Sequence, residues 1–114
     1  MVIKQVEIKN DEGKAFNVEV YLNGRSLKQI EKEVKEIDPK MNVWSAIDNF
    51  ARTKDFIYMS IILGAAVHEK GNKYPVGADW FDDNEISFFG NDMASLILAL
   101  NSCFTDLYPT KTGK

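Results

Sequence analysis

Phe56-Ile57-Tyr58-Met59-Ser60-Ile61-Ile62-Leu63-Gly64-Ala65-Ala66-Val67 decides the fold. The run is apolar at every angular position of a helix, and a helix without a polar face has no side to offer water. It therefore predicts the central post of a helical core, buried all round. At about twelve residues it falls short of the roughly 20 needed to cross a bilayer. Gly64, inside the run, is expected to mark a point of close approach.

Working outward, Thr53 is read as the cap of this helix, which is predicted to reach about Glu69, with Gly71 as the C-terminal cap. Nothing at Arg52-Thr53 breaks the chain, so one long bent helix is also open. Upstream, Asn42 reads as an N-cap before Trp44, Ile47, Phe50 and Ala51. Before that, Ser26 with Gln29 three residues on forms a capping-box pattern. Leu27, Ile30, Val34 and Ile37 follow at helical spacing until Asp38-Pro39. Asn23-Gly24 could instead be a second hairpin turn, but the apolar residues after it step by three and four, which favours the helix.

The N-terminal residues change period. Val2, Val6 and Ile8 share one parity, with Lys4 as the exception, and Phe16, Val18, Val20 and Leu22 alternate with Asn17, Glu19 and Tyr21. Asn10-Asp11-Glu12-Gly13 lies between as a turn. This predicts an antiparallel hairpin with one wet face, and a lone hairpin is marginal in water unless it lies on something apolar.

Downstream, Gly71 to about Asp83 reads as an aromatic loop. Glu85 to Phe89 is expected to form a short helical turn stopped by Gly90. Asn91 or Asp92 then caps a last helix carrying Met93, Leu96, Ile97, Leu100 and Phe104. The tail after Pro109 is polar and is expected to be disordered.

The 114 residues carry 14 Lys and Arg against 17 Asp and Glu, a net charge of −3, with a pI near 5.1. That balance disfavours a nucleic-acid module, which needs a basic stripe. Lysines and glutamates alternate from Lys28 to Glu36, as on a solvated helix face. One cysteine, Cys103, excludes an internal disulfide, and its apolar neighbours predict a buried thiol. The N-terminus lacks the pattern of a signal peptide, so an intracellular, cytoplasmic protein with no membrane segment is expected.

Candidate chemistry is sparse. His68 precedes Glu69, Asp79, Asp82, Asp83 and Glu85, a set from which a divalent-metal site could be built. The spacing matches no metal motif, and carboxylates at helix N-termini have a simpler role in capping. Cys103 with His68 lacks the electropositive, partly exposed setting that a working thiolate needs. Neither a catalytic group nor a cofactor is expected. The better functional surface is aromatic: Tyr74, Trp80, Phe81, Phe88 and Phe89. Such rings dominate interface hot spots; in the competing reading Trp80 and Phe88 fold the loop back on the core.

Taken together, Val20-Tyr21-Leu22-Asn23-Gly24-Arg25, the helix with Leu27, Ile30, Glu31 and Val34, then Trp44-Ser45-Ala46-Ile47-Asp48-Asn49-Phe50, Ile61 to Val67 and Met93 to Leu100 are similar to the tail assembly chaperones of long-tailed bacteriophages and prophages. The resemblance spans about residues 14 to 104 and lies in element order and apolar placement. The strand Val2 to Lys9 and the aromatic loop depart from the pattern. The resemblance implies a non-enzymatic protein of the bacterial host's cytoplasm. Such a chaperone keeps the tape measure protein soluble, with the tail tube protein as a second candidate partner. Self-association into a homo-oligomer is compatible with that role.

The expected fold is α+β: an N-terminal β-hairpin, about residues 2–22, packed on a mostly helical domain of four to five helices, about 26–107. One domain is expected over 1–109, with 110–114 as a disordered tail. Two other functions compete with the chaperone, a small adaptor with a host partner and a metal-dependent hydrolase using His68, Asp79, Asp82 and Asp83.

Overall fold

In the computed structural model, residues 1–53, 55–87 and 90–107 are described. The hairpin forms from β1 (Lys4–Lys9) and β2 (Ala15–Val20), with Ile8 opposite Phe16, Val6 opposite Val18 and Lys4 opposite Val20. This register puts the predicted apolar parity on one face. Ile8, Val18 and Val20 are buried, whereas Gln5, Glu7 and Asn17 are exposed. Asn10 closes the turn: its side-chain oxygen accepts from the Glu12 and Lys14 N–H groups at 3.0 and 2.8 Å. Gly13 supplies the positive φ, +85°, that the turn requires.

α1 (Gly24–Ile37) starts two residues before the predicted cap. Asn23 caps it, accepting from the Ser26 N–H at 2.9 Å and from the Ser26 hydroxyl at 3.0 Å, and Ser26 is itself buried. α2 (Val43–Thr53) follows Asn42, whose side chain accepts from the Ser45 N–H while the Ser45 hydroxyl accepts from the Asn42 N–H, both at 2.9 Å. Its core stripe is Val43, Ala46, Ile47 and Phe50. Trp44, expected on the apolar side, is 45% exposed, because its helical position places it with Asp48 and Ala51.

α3 (Phe56–Ala66) is separate from α2. Asp55, not Thr53, caps it by accepting from the Ile57 and Tyr58 N–H groups. Thr53 ends α2 with its hydroxyl on the Asn49 carbonyl. The central segment is buried at Met59 and from Ile61 to Val67, but Phe56 and Ile57 in the first turn are exposed. The core surrounds the last two turns of the helix and leaves the first in water.

The predicted helix to Glu69 stops early. After Ala66 the chain turns extended and forms β3 (Val67–Glu69), antiparallel to β2, with Glu19 opposite His68. The sheet order is β1-β2-β3. Without β3, the Tyr21 N–H and the Asn17 carbonyl would lose partners, and they are bonded here to the Ala66 carbonyl and the Lys70 N–H at 3.0 and 3.1 Å. β3 also buries Tyr21, whose parity predicted a wet position: its ring lies flat on the His68 ring, with centroids 3.8 Å apart.

The helical turn expected at Glu85–Phe89 lies earlier, as α4 (Trp80–Asp83), and Glu85 leaves it at φ +60°. α5 (Asn91–Leu107) then packs under β1 and β2, burying Met93, Leu96, Leu100 and Cys103. α1 packs on both α2 and α3. The result is α+β: an N-terminal hairpin on a helical body, with a third strand added by the end of α3. Phe88, Phe89 and the tail 110–114 lie outside the described residues.

Candidate partner-binding surface

The chain from Lys70 to Ala78 runs back over α3. The Val76 N–H donates to the Val67 carbonyl at 2.9 Å and the Gly77 N–H to the Gly64 carbonyl at 2.8 Å. These bonds fix the loop at its base and leave its tip to present Tyr74, 55% exposed. The Arg25 guanidinium stands 4.5 Å above the Tyr74 ring and donates to the Lys73 carbonyl at 3.2 Å. Lys73 Nζ also lies 5.5 Å from the ring centroid, so two cations hold the exposed ring in place.

Trp80 is half-buried, with its ring set edge to face against Phe16 at 5.3 Å and Phe81 at 5.2 Å. Phe81 is fully buried, so the expectation that it meets a partner is corrected. α4 turns its ring under Trp80 into the core, and its carbonyl accepts from the Ile86 N–H at 2.8 Å. Trp80 and Phe81 thus join a cluster with Phe16, while Tyr74 sits apart with Arg25. Phe88 and Phe89 lie outside the described residues.

Other exposed apolar groups lie on helices that the sequence reading assigned to the core: Trp44 at 45%, Phe56 at 52% and Ile57 at 61%. A signal for Trp44 was present, since Asp48 and Arg52 share its side of α2. For Phe56 and Ile57 the signal was the neighbouring Asp55, which marks a helix start.

The residues of the hydrolase alternative do not converge. His68 is buried in β3, whereas Asp79, Asp82 and Asp83 are exposed around α4. Among the described residues, no three His, Cys, Asp or Glu side chains are placed to share a metal ion. Cys103 is buried, with its thiol toward the Val20 carbonyl at 3.5 Å. Among the described residues, Glu33 on α1 is the one carboxyl with a clear shift. Burial pushes it up, and the charges of Glu36 and Asp79 add to this against a hydrogen bond from Gln29.

The His68 Nδ1–H donates to the Ala66 carbonyl at 2.9 Å, and Nε2 has no hydrogen-bond partner among the described residues. Burial holds the imidazole below its ordinary value of 6.5, against the Ala66 carbonyl and Glu19, which favour the charged ring. A histidine lowered on folding binds fewer protons folded than unfolded. Stability is therefore complete above about pH 6.5 and falls as pH drops below it. Thermal melts between about pH 7 and pH 5 should show this decline for the parent and a flatter profile for His68→Gln. Parallel profiles would mean that His68 does not titrate differently on folding.

Comparison with known protein families, with curated proteins and with solved structures finds no match to this chain. Among the described residues, no helix is long and apolar enough to cross a membrane.

Proposed function

We propose that this chain is a tail assembly chaperone of a long-tailed bacteriophage or prophage, which binds the tape measure protein and keeps it soluble while the tail tube forms. The observation that carries the reading is the order of its elements. A strand ending at Val20 leads into α1, α2 and α3, then, past β3 and a loop with the short α4, into the long α5. This order and apolar placement are the basis on which we assign the chain to that family. Tape measure proteins carry long apolar helices, and such surfaces aggregate unless they are covered. Tyr74, Trp44, Phe56 and Ile57 are apolar contact groups outside the core, and binding through them needs no cofactor. An adaptor for a host protein would use the same groups and differs only in its partner.

Coexpression with a tape measure fragment tests the reading by how much fragment stays soluble. The parent should raise the soluble fraction, and a Tyr74→Ala, Trp80→Ala double variant should lower the rescue, with a loss of about tenfold or more in affinity if either ring is a hot spot. Equal rescue by both proteins would remove the loop as the contact surface. No rescue by the parent would remove the tape measure protein as its partner.

A further inference from the structure

Helix α1 sorts the charges that alternate in its sequence. Lys28, Lys32 and Lys35 stand at i, i+4 and i+7, and all are exposed, whereas Gln29, Glu33 and Glu36 take another flank with the same spacing. The lysine flank borders α2. Between the two helices lies an open groove of about 380 Å³, lined by Leu27, Lys28, Glu31, Lys32, Lys35 and Val43.

The floor of this groove is apolar. Leu27 is half-buried, Val43 is buried, and the lysine stems extend the apolar wall while their ammonium groups reach water. Among the described residues none of the three lysines forms an ion pair, and Lys35 Nζ meets only the Pro39 carbonyl, at 3.5 Å. Glu31 is the acid in the lining, and its carboxylate is already engaged. It accepts at 3.1 Å from the N–H of Val43, the first residue of α2. The lining therefore carries three lysines against one carboxylate, an excess of positive charge on a chain whose net charge is −3.

We propose that the groove between α1 and α2 binds an amphipathic helix of a partner protein, one whose apolar ridge is flanked by acidic residues. The ridge lies on Leu27 and Val43, and the flanking carboxylates face Lys28, Lys32 and Lys35. An open trough along the lysine flank of α1, closed on one side by Val43 at the start of α2, suits a third helix. A flat anionic membrane would not fill it and would meet the negative charge of the whole chain. The proposal rests on the reading of this chain as a binding protein, and it adds where a helix docks and of what charge.

The probe is a synthetic helical peptide with leucine along one ridge and glutamate on both flanks, compared with the same peptide carrying lysine for glutamate. Fluorescence anisotropy reads affinity, and methyl NMR reads contact at Leu27 and Val43. The acidic peptide should bind at least about tenfold more tightly than the basic one and should weaken as salt is raised. Combining Lys28→Glu, Lys32→Glu and Lys35→Glu should reverse the preference. The gentler set Lys28→Gln, Lys32→Gln and Lys35→Gln should abolish it, and circular dichroism confirms that both variants are folded.

Equal affinity for the two peptides would overturn the proposal, as would a preference that survives the glutamine variant or binding that leaves the Leu27 and Val43 methyls unmoved. Self-association lost in the variants would assign the groove to a second copy. Capture by phosphatidylserine vesicles in place of the acidic peptide would assign it to a membrane. Either result overturns the proposal. The coexpression assay separates this failure from that of the functional reading. A peptide preference without fragment rescue supports the groove and removes the tape measure partner. Fragment rescue without a peptide preference overturns the groove alone.

Discussion

Ile61→Asp is expected to abolish cooperative melting. Ile61 is 6% exposed and lies in α3 beside Ile62 and Leu63, which are fully buried. The surrounding core is aliphatic and aromatic, so a carboxylate there must either stay charged without a partner or take up a proton. An uncompensated buried charge costs about 3–5 kcal/mol or more, against a total stability of roughly 5–15 kcal/mol for a domain of this kind. Added to the lost burial of the isoleucine, this removes most of the margin. The contrast is Ile57→Asp in the same helix, at a position 61% exposed, which should stay within about 0.5 kcal/mol of the parent. Thermal melts followed by circular dichroism compare the two. If Ile61→Asp melts within a few degrees of the parent, α3 is not the centre of the core.

Among the described glycines, Gly64→Ala should be the most damaging alanine substitution by steric conflict. A Cβ at Gly64 would collide with the backbone carbon of Gly77 and come within 2.5 Å of the Ala78 nitrogen and 2.6 Å of the Gly77 oxygen. These are backbone atoms of a segment held by the Gly77 N–H to Gly64 carbonyl bond, so neither side can give way cheaply. Overpacking of this kind costs typically about 1–3 kcal/mol and at times more. Part of the cost should appear as loosening of the 70–78 loop, and with it the position of Tyr74. Gly24→Ala is the control. It begins α1 with open space around its Cβ, so the same added methyl should be neutral or slightly stabilising. A melting temperature for Gly64→Ala equal to that of Gly24→Ala would contradict the close approach of α3 and the loop.

Both of these features are legible in the sequence. The apolar run from Phe56 declared its burial, and Gly64 within it declared a close approach, because each is a property of local composition. Period-2 alternation from Phe16 to Val20 and the stripe Leu27, Ile30 and Val34 were legible for the same reason. β3 was not. Val67-His68-Glu69 is too short to show a period, and its strand conformation follows from pairing with β2, a partner about 50 residues earlier in the chain. The fate of Tyr21 depended on β3, whose His68 ring stacks on it.

At the candidate surface, residue type pointed to aromatics without telling inward from outward. Trp80 and Phe81 are adjacent and chemically alike, and α4 turns Phe81 inward while leaving Trp80 half-buried. The charge pattern of α1 was legible as alternation, but its meaning as a lysine flank beside a groove required α2 to be placed.

In the proposed function, the buried core around α3 carries contact surfaces that cover an apolar helix of another protein. Amide hydrogen exchange on the purified chain, with and without a tape measure fragment, tests it most directly. The account predicts that amides from Met59 to Ala66 exchange slowest in both samples, through global unfolding alone. Adding the fragment should slow exchange further in α1, α2 or the 70–78 loop. Fast exchange in α3 would contradict the core, and an identical pattern with and without the fragment would contradict the binding function.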